Sequence, residues 1–294
     1  MNMIMLRGSM TAIVTPFKDG IVDEKAFKGL IEFQIKNRTN AIVPCGTTGE
    51  SATLSYEEHE RVIELAIETA KGRIPVIAGA GSNSTAETIR FVKHAERSGA
   101  DAVLLITPYY NKPTQEGLYQ HYRRVAEEAD ILIILYNVPG RTGVNMLPET
   151  VARLSEIKNI IGIKEATGSL QQISDTIEMT RKGFLVLSGD DFITLPLLSI
   201  GGHGVISVTS NIVPKEVGQM CHAFFDGNME KAKKLHYKLQ PLHRAMFLET
   251  NPIPVKTALA MMGKIEEEFR LPLVRMGELN RKKLEKALTG FGVI

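Results

Sequence analysis

Lys164 closes the run Ile160-Ile161-Gly162-Ile163-Lys164, four uncharged residues followed by one that carries a charge. A buried ammonium is costly, so a lysine in such a place is functional or paired more often than decorative. An ordinary lysine, with a pKa of about 10.4, is almost wholly protonated at neutral pH. Desolvation favours the neutral amine, the form that attacks a carbonyl carbon. The competing reading is a side chain whose stem lies along the strand end with its charge in water, paired with Glu165. Tyr136 ends the preceding apolar run, Ile131–Tyr136. Its hydroxyl could exchange protons with the nitrogen and oxygen of a forming carbinolamine. By itself such a residue is more often an ordinary β-favoured aromatic.

Loops carry the remaining polar candidates. Gly46-Thr47-Thr48-Gly49-Glu50-Ser51 has two glycines that let backbone N–H groups converge and two hydroxyls that add donors, a nest suited to a carboxylate. No Gly-Lys-Ser/Thr follows, so it is not a P-loop. The plain alternative is a turn leading to a helix capped near Ser55. Gly79-Ala80-Gly81-Ser82-Asn83-Ser84 begins like a dinucleotide fingerprint but lacks the third glycine, which excludes that cofactor reading. Arg141, in Gly140-Arg141-Thr142-Gly143, suits a second carboxylate held bidentate, or is simply solvated. Tyr109 and Tyr110, in Thr107-Pro108-Tyr109-Tyr110-Asn111-Lys112-Pro113, suggest a rigid loop that packs on something. The seven histidines show no pair at ligand spacing and no cysteine partner, so no metal site is expected. His121, His222 and His236 fall on helices and read as surface or packing residues.

These groups must be positioned by a scaffold, and the sequence repeats one unit eight times: a short apolar run followed by a helical-period stretch. The runs are Thr11–Thr15, Ala41–Cys45, Pro75–Ala78, Ala102–Ile106, Ile131–Tyr136, Ile160–Lys164, Phe184–Ser188 and Gly204–Val208. The helical stretches that follow them are 23–37, 56–71, 85–97, 115–129, 148–156, 170–182, 192–200 and 214–225. Continuously apolar strands mark parallel strands covered on both faces. Eight such units predict an α/β fold, a (β/α)8 TIM barrel, with a doubly wound sheet as the runner-up. Beyond it, 229–247, 254–262 and 277–288 keep helical periodicity, with breaks at Pro252, Pro254 and Pro272. The expected organisation is a catalytic barrel over 1–226 and a helical extension over 227–294. In this fold the chemistry sits where the strands end, which is where Lys164, Tyr136 and the loops stand.

Composition narrows the class. The 294 residues are 44% hydrophobic and 23% charged, with 35 basic and 33 acidic residues and a formal charge of +2. Nothing there points to nucleic acid or an anionic membrane. Cys45 and Cys221 are too few for a disulfide framework and read as free thiols in a reducing compartment. Met1–Met10 lacks the marks of a signal peptide, and no apolar run reaches the roughly 18 residues of a membrane helix. The cytoplasm is the expected location.

The motifs Gly46-Thr47-Thr48-Gly49-Glu50, Thr107-Pro108-Tyr109-Tyr110-Asn111-Lys112-Pro113-Thr114, Tyr136-Asn137-Val138-Pro139-Gly140-Arg141-Thr142 and Gly162-Ile163-Lys164-Glu165-Ala166 occur together. On them the chain resembles the pyruvate-dependent class I aldolase superfamily that includes N-acetylneuraminate lyase. It is most similar to the branch that joins pyruvate to L-aspartate 4-semialdehyde on the diaminopimelate route to lysine. The resemblance covers nearly the whole chain, least diagnostically the first residues and the C-terminal helices. It implies that Lys164 forms the Schiff base with pyruvate and Tyr136 donates and accepts protons. Thr47 would link Tyr136 to Tyr110, the latter reaching in from a neighbouring subunit. Thr48 would hold the pyruvate carboxylate, Arg141 the carboxylate of the aldehyde, and Gly189 and Ile206 would line the pyruvate site through backbone atoms. A protonated imine withdraws electrons, pyruvate becomes an enamine, and the enamine attacks the aldehyde without metal or organic cofactor. Cyclisation and imine hydrolysis then release the product. The resemblance also implies a homotetramer built as a dimer of dimers.

Arg141 and the Tyr-Tyr-Asn-Lys-Pro loop argue against a neuraminate or keto-deoxy sugar acid lyase, because an acidic aldehyde needs a cation and a sugar needs neutral partners. The intact set Lys164, Tyr136, Thr47, Tyr110 and Arg141 argues against a catalytically dead barrel serving as a binding protein. Lysine-inhibited members bind lysine at the subunit interface. The matching positions are Ser51, Ala52, His59, Asn83, Glu87 and Tyr109, with Tyr56 standing where sensitive bacterial members commonly have histidine.

Overall fold

The computed structural model describes residues 6–294. The first five residues of the stretch read above as no signal peptide lie outside it. Eight parallel strands form one sheet: β1 Gly8–Ala12, β2 Ala41–Val43, β3 Ile77–Gly79, β4 Ala102–Ile106, β5 Leu132–Asn137, β6 Ile160–Glu165, β7 Leu185–Ser188 and β8 Gly204–Ser207. Their order is β2-β1-β8-β7-β6-β5-β4-β3. The two end strands meet through a parallel bridge between Ile42 and Val76, and the Ile42 N–H donates to the Pro75 carbonyl at 2.9 Å, so the sheet closes into a barrel. The principal helices between strands are α1 Glu24–Lys36, α2 Tyr56–Ala70, α3 Thr85–Ser98, α4 Gln115–Glu127, α5 Pro148–Ser155, α6 Leu170–Met179 and α7 Thr194–Ser199, and α8 Pro214–Phe225 follows β8. The (β/α)8 expectation holds. Ser55 caps α2 as expected, its hydroxyl accepting from the Glu58 N–H while the Glu58 carboxylate accepts from the Ser55 N–H.

Differences from the sequence reading have local causes. β1 lies at Gly8–Ala12 rather than Thr11–Thr15. Its outward Ser9 and Thr11 are fully buried, the Thr11 hydroxyl donating to Gln34 and the Ser9 N–H to Asn40 while the Ser9 hydroxyl finds no partner among the described residues, so small polar residues stand where apolar ones were sought. A small antiparallel hairpin, Phe17–Lys18 with Ile21–Val22, precedes α1. The seventh helical stretch begins as a 3-10 turn, Asp191–Ile193, before α7.

Alternation divides the core. Met10, Ala12, Val43, Leu104, Ile134, Tyr136, Leu187 and Ile206 belong to the cluster inside the barrel. Val103, Leu105, Ile133, Leu135 and Ile163 belong to the larger cluster between strands and helices. Each fully buried aliphatic side chain contributes about 1.5–3 kcal/mol. The extension, α9 Met229–Ala245, α10 Ile253–Met261 and α11 Glu278–Phe291, shares that outer cluster through Leu239, Val255 and Leu284. Cys45 and Cys221 are free and buried, and burial pushes the Cys221 thiol up to about 12. Among the described residues no helix is long and apolar enough to cross a membrane.

Candidate active site

Tyr136 and Lys164 are register partners on adjacent strands, one residue from the C-terminal ends of β5 and β6. Both are buried, 7% and 6% exposed, and the Lys164 Nζ lies 4.1 Å from the centre of the Tyr136 ring. Lys164 points inward because Ile163, its neighbour, packs outward. Glu165 therefore leaves on the opposite face. It accepts from Asn137 Nδ2 at 3.2 Å and from the Thr167 N–H at 3.0 Å, and burial raises its carboxyl above the ordinary range. The alternative of a solvated lysine paired with Glu165 fails on this geometry.

Gly189 follows β7 beside them. Its N–H donates to the Glu165 carbonyl at 2.7 Å. A Cβ there would stand 2.6 Å from the Ala166 Cβ and 3.2 Å from the Lys164 Cε, so a methyl would press on Ala166 and crowd the lysine stem. A cavity of about 70 Å³ remains, lined among others by Thr47, Thr48, Tyr136, Lys164, Gly189 and Asn251. Ile206 is fully buried in β8, and Val208, two residues on, is the residue of that segment in the cavity wall.

The nest loop coils as two 3-10 turns, Thr47–Gly49 and Ser51–Thr53. Thr48 is 3% exposed, and its hydroxyl accepts from Asn251 Nδ2 at 3.0 Å. That leaves the Thr48 hydrogen free to donate into the cavity. Arg141 is exposed, sits in the single helical turn Pro139–Thr142 and donates from Nη2 to the Asn251 carbonyl at 3.1 Å. Asn251 thus joins the two groups expected to hold carboxylates.

A second cavity, about 680 Å³, shares Thr47, Tyr136, Arg141 and Asn251 with the first. Its wall includes Ser51, Ala52, Tyr56, His59, Glu87 and Tyr109. The hydroxyls of Ser82 and Tyr56 both donate to Glu87, and these bonds hold its carboxyl below the ordinary range. His59 stacks on Phe91 with ring centres 4.2 Å apart, and burial pushes its imidazole down to about 4. Asn83 does not line this wall; its carbonyl accepts from Asn111 Nδ2 at 2.9 Å. Tyr110 stands apart from both cavities, 87% exposed, with a left-handed backbone at φ +70°.

Sequence reasoning missed Asn251, Asp190 and Phe247 in the small cavity's wall. Asp190 stands directly after Gly189 and could have been found by enumerating every strand end. Burial raises its carboxyl, with the Lys164 charge opposing. Asn251 and Phe247 come from the extension, where the strand-end rule gives no signal.

The family model described as "Dihydrodipicolinate synthetase family" matches residues 5–290. A relative from Syntrophus aciditrophicus named 4-hydroxy-tetrahydrodipicolinate synthase is 61% identical over 290 residues, 99% of this chain and all of that one. The structure is similar to a dihydrodipicolinate synthase from Acinetobacter baumannii complexed with pyruvate, with a TM-score of 0.96 and 50% identity, covering 98% of this chain and 100% of that one. It is also similar to one from Cyanidioschyzon merolae with lysine bound, with a TM-score of 0.96 and 41% identity over 99% of both chains.

Proposed function

The chain belongs to the dihydrodipicolinate synthetase family, and from that premise we propose how its residues divide the work. Its activity is that of a 4-hydroxy-tetrahydrodipicolinate synthase, a lyase of the diaminopimelate route to lysine. The observation that carries the mechanism is a buried lysine in register with a buried tyrosine, its stem passing a glycine that no other residue could replace without displacement.

Thr48, its hydroxyl hydrogen freed by Asn251, binds the pyruvate carboxylate. The Lys164 amine attacks the pyruvate keto carbon, and Tyr136 protonates the oxygen that leaves as water. The imine gives a methyl proton to the Tyr136 phenolate and becomes an enamine, whose carbon bonds to the aldehyde carbon of L-aspartate 4-semialdehyde while Tyr136 returns the proton to the aldehyde oxygen. Arg141 orients that substrate through its carboxylate. The substrate's amino group then closes on the imine carbon and frees Lys164. Thr47 hands protons between Tyr136 and Tyr110, the latter belonging to a neighbouring subunit, which its exposure supports. The protein works as a homotetramer in the cytoplasm, where its biosynthetic route runs.

The test is a borohydride trap. With pyruvate, a reduced adduct of pyruvate mass on Lys164 is expected; no adduct, or one elsewhere, overturns the reading. Arg141→Ala should leave the trap intact and raise the KM for aspartate semialdehyde at least tenfold.

Lysine is the proposed feedback inhibitor, bound in the larger cavity against Glu87, His59, Ser51, Ala52, Tyr56 and Tyr109, with Asn83 nearby. The lysine-bound relative and the carboxylate in the cavity wall support it. Titrating the rate with lysine tests this directly, and an unchanged rate at millimolar lysine rejects it.

A further inference from the structure

Lys256 is the second buried lysine of the molecule, and the chemistry above does not use it. It lies in α10, fully buried, with its Nζ 2.5 Å from Oε1 of Glu50, itself only 1% exposed at the side chain. The Phe17 and Phe269 rings flank the ammonium at 4.3 and 5.1 Å. The other carboxylate oxygen of Glu50 accepts from the Arg270 N–H at 3.3 Å. Charges this deep persist only when paired, and truncating one partner leaves the other stranded.

Glu50 is not an ordinary partner. It is the hinge between the two 3-10 turns, with left-handed backbone at φ +53° and ψ +35°. A non-glycine residue holds that conformation only where its surroundings impose it. Its N–H donates to the Thr47 carbonyl at 3.1 Å, and its carbonyl accepts from the Thr53 N–H at 3.0 Å. The loop is therefore gripped twice by one short segment of the extension. Asn251, just before α10, holds Thr48, and Lys256, in α10, holds Glu50.

We infer that Lys256 is a positioning residue for the condensation: its ion pair with Glu50 holds the left-handed hinge that aims Thr47 and Thr48 at the pyruvate cavity. This rests on the assignment of Thr48 to the pyruvate carboxylate. The pair ties the barrel's second loop to the extension, so the pyruvate site is completed by residues some 200 positions away in the chain, the separation being 206 for Lys256 and Glu50.

The experiment compares wild type, Lys256→Met, Glu50→Gln and the double variant Glu50→Gln/Lys256→Met, all as full chains. Each is followed by thermal melting, steady-state kinetics and the pyruvate concentration that half-saturates borohydride trapping. Lys256→Met strands a carboxylate and should melt roughly 5–10 °C lower. The double variant removes both charges and should recover most of that loss. If the pair positions the loop, the double variant still needs at least tenfold more pyruvate for half-trapping, with a smaller change in kcat. A double variant that traps like wild type, whatever its melting temperature, overturns the inference. Should it not fold, Glu50→Gln alone carries the same comparison. It keeps the shape, and Lys256, pushed down from its ordinary pKa by burial, can release its proton there. Absence of an adduct in wild type would instead overturn the Schiff-base reading, so the two failures are distinct.

Discussion

Gly189→Ala isolates geometry from chemistry, because it adds one methyl and removes no functional group. The backbone there needs no left-handed conformation, so the cost is steric. The new Cβ would sit 2.6 Å from the Ala166 Cβ, 3.1 Å from the Glu165 carbonyl oxygen and 3.2 Å from the Lys164 Cε. Ordinary carbon contacts lie at roughly 3.5–4 Å, so about 1 Å of relief is needed. The strand ends cannot supply it freely, since the Gly189 N–H is bonded to that same carbonyl at 2.7 Å. Overpacking of this kind costs about 1–3 kcal/mol of stability. Only the 3.2 Å contact falls on the lysine stem, which must give by a few tenths of an ångström; since about 1 Å costs on the order of a hundredfold in rate, a shift of that size costs roughly fivefold to tenfold, about 1 kcal/mol of barrier. The assay is kcat/KM with both substrates, beside the rate of borohydride trapping by pyruvate alone and a melting curve. Both rates should fall together by roughly fivefold to tenfold, because the amine itself is misplaced. Adding Ala166→Gly removes the 2.6 Å contact but not the one at Lys164. That double variant should regain stability while its trapping stays slow. A Gly189→Ala protein that traps pyruvate within about threefold of wild type would refute the claim that glycine clears the path of the lysine.

Asn251→Asp should be worse than Asn251→Ala for pyruvate. A carboxylate would accept the Thr48 hydrogen instead of donating to its oxygen and would repel the substrate's own carboxylate, so a KM at least tenfold above wild type is expected from pyruvate titration. Tyr56→Phe removes one of the two hydroxyls that donate to Glu87 and should strengthen lysine inhibition several-fold, read as a lower half-inhibitory lysine concentration; unchanged or weaker inhibition contradicts this. Burial holds both His59 and His121 down to about 4, below the ordinary 6.5. In that window the unfolded chain binds more protons, so stability is full above about pH 6.5 and is lost as pH falls toward 4, by up to about 3 kcal/mol per ring. Urea midpoints between pH 7 and 4.5 measure it, and His121→Gln should flatten the slope.

The sequence determined the barrel because parallel strands covered on both faces need uninterrupted apolar runs, and eight such runs separated by helical periods leave little other choice. It also placed Lys164 and Tyr136 at the ends of their runs, and the barrel brings those strand ends together. The position of β1 was less legible, because Ser9 and Thr11 are buried polar residues, Thr11 through a long-range hydrogen bond to Gln34 that local pattern does not reveal. Tertiary structure alone decided that Lys164 turns inward while Glu165 turns out, a matter of pleat and register. It alone decided that a methyl at position 189 would strike the lysine stem. And it alone brought Asn251 and Lys256 from the extension onto Thr48 and Glu50, across more than 200 residues of chain. Such contacts leave no periodic trace, because they are made once, by the packing of one helix against one loop.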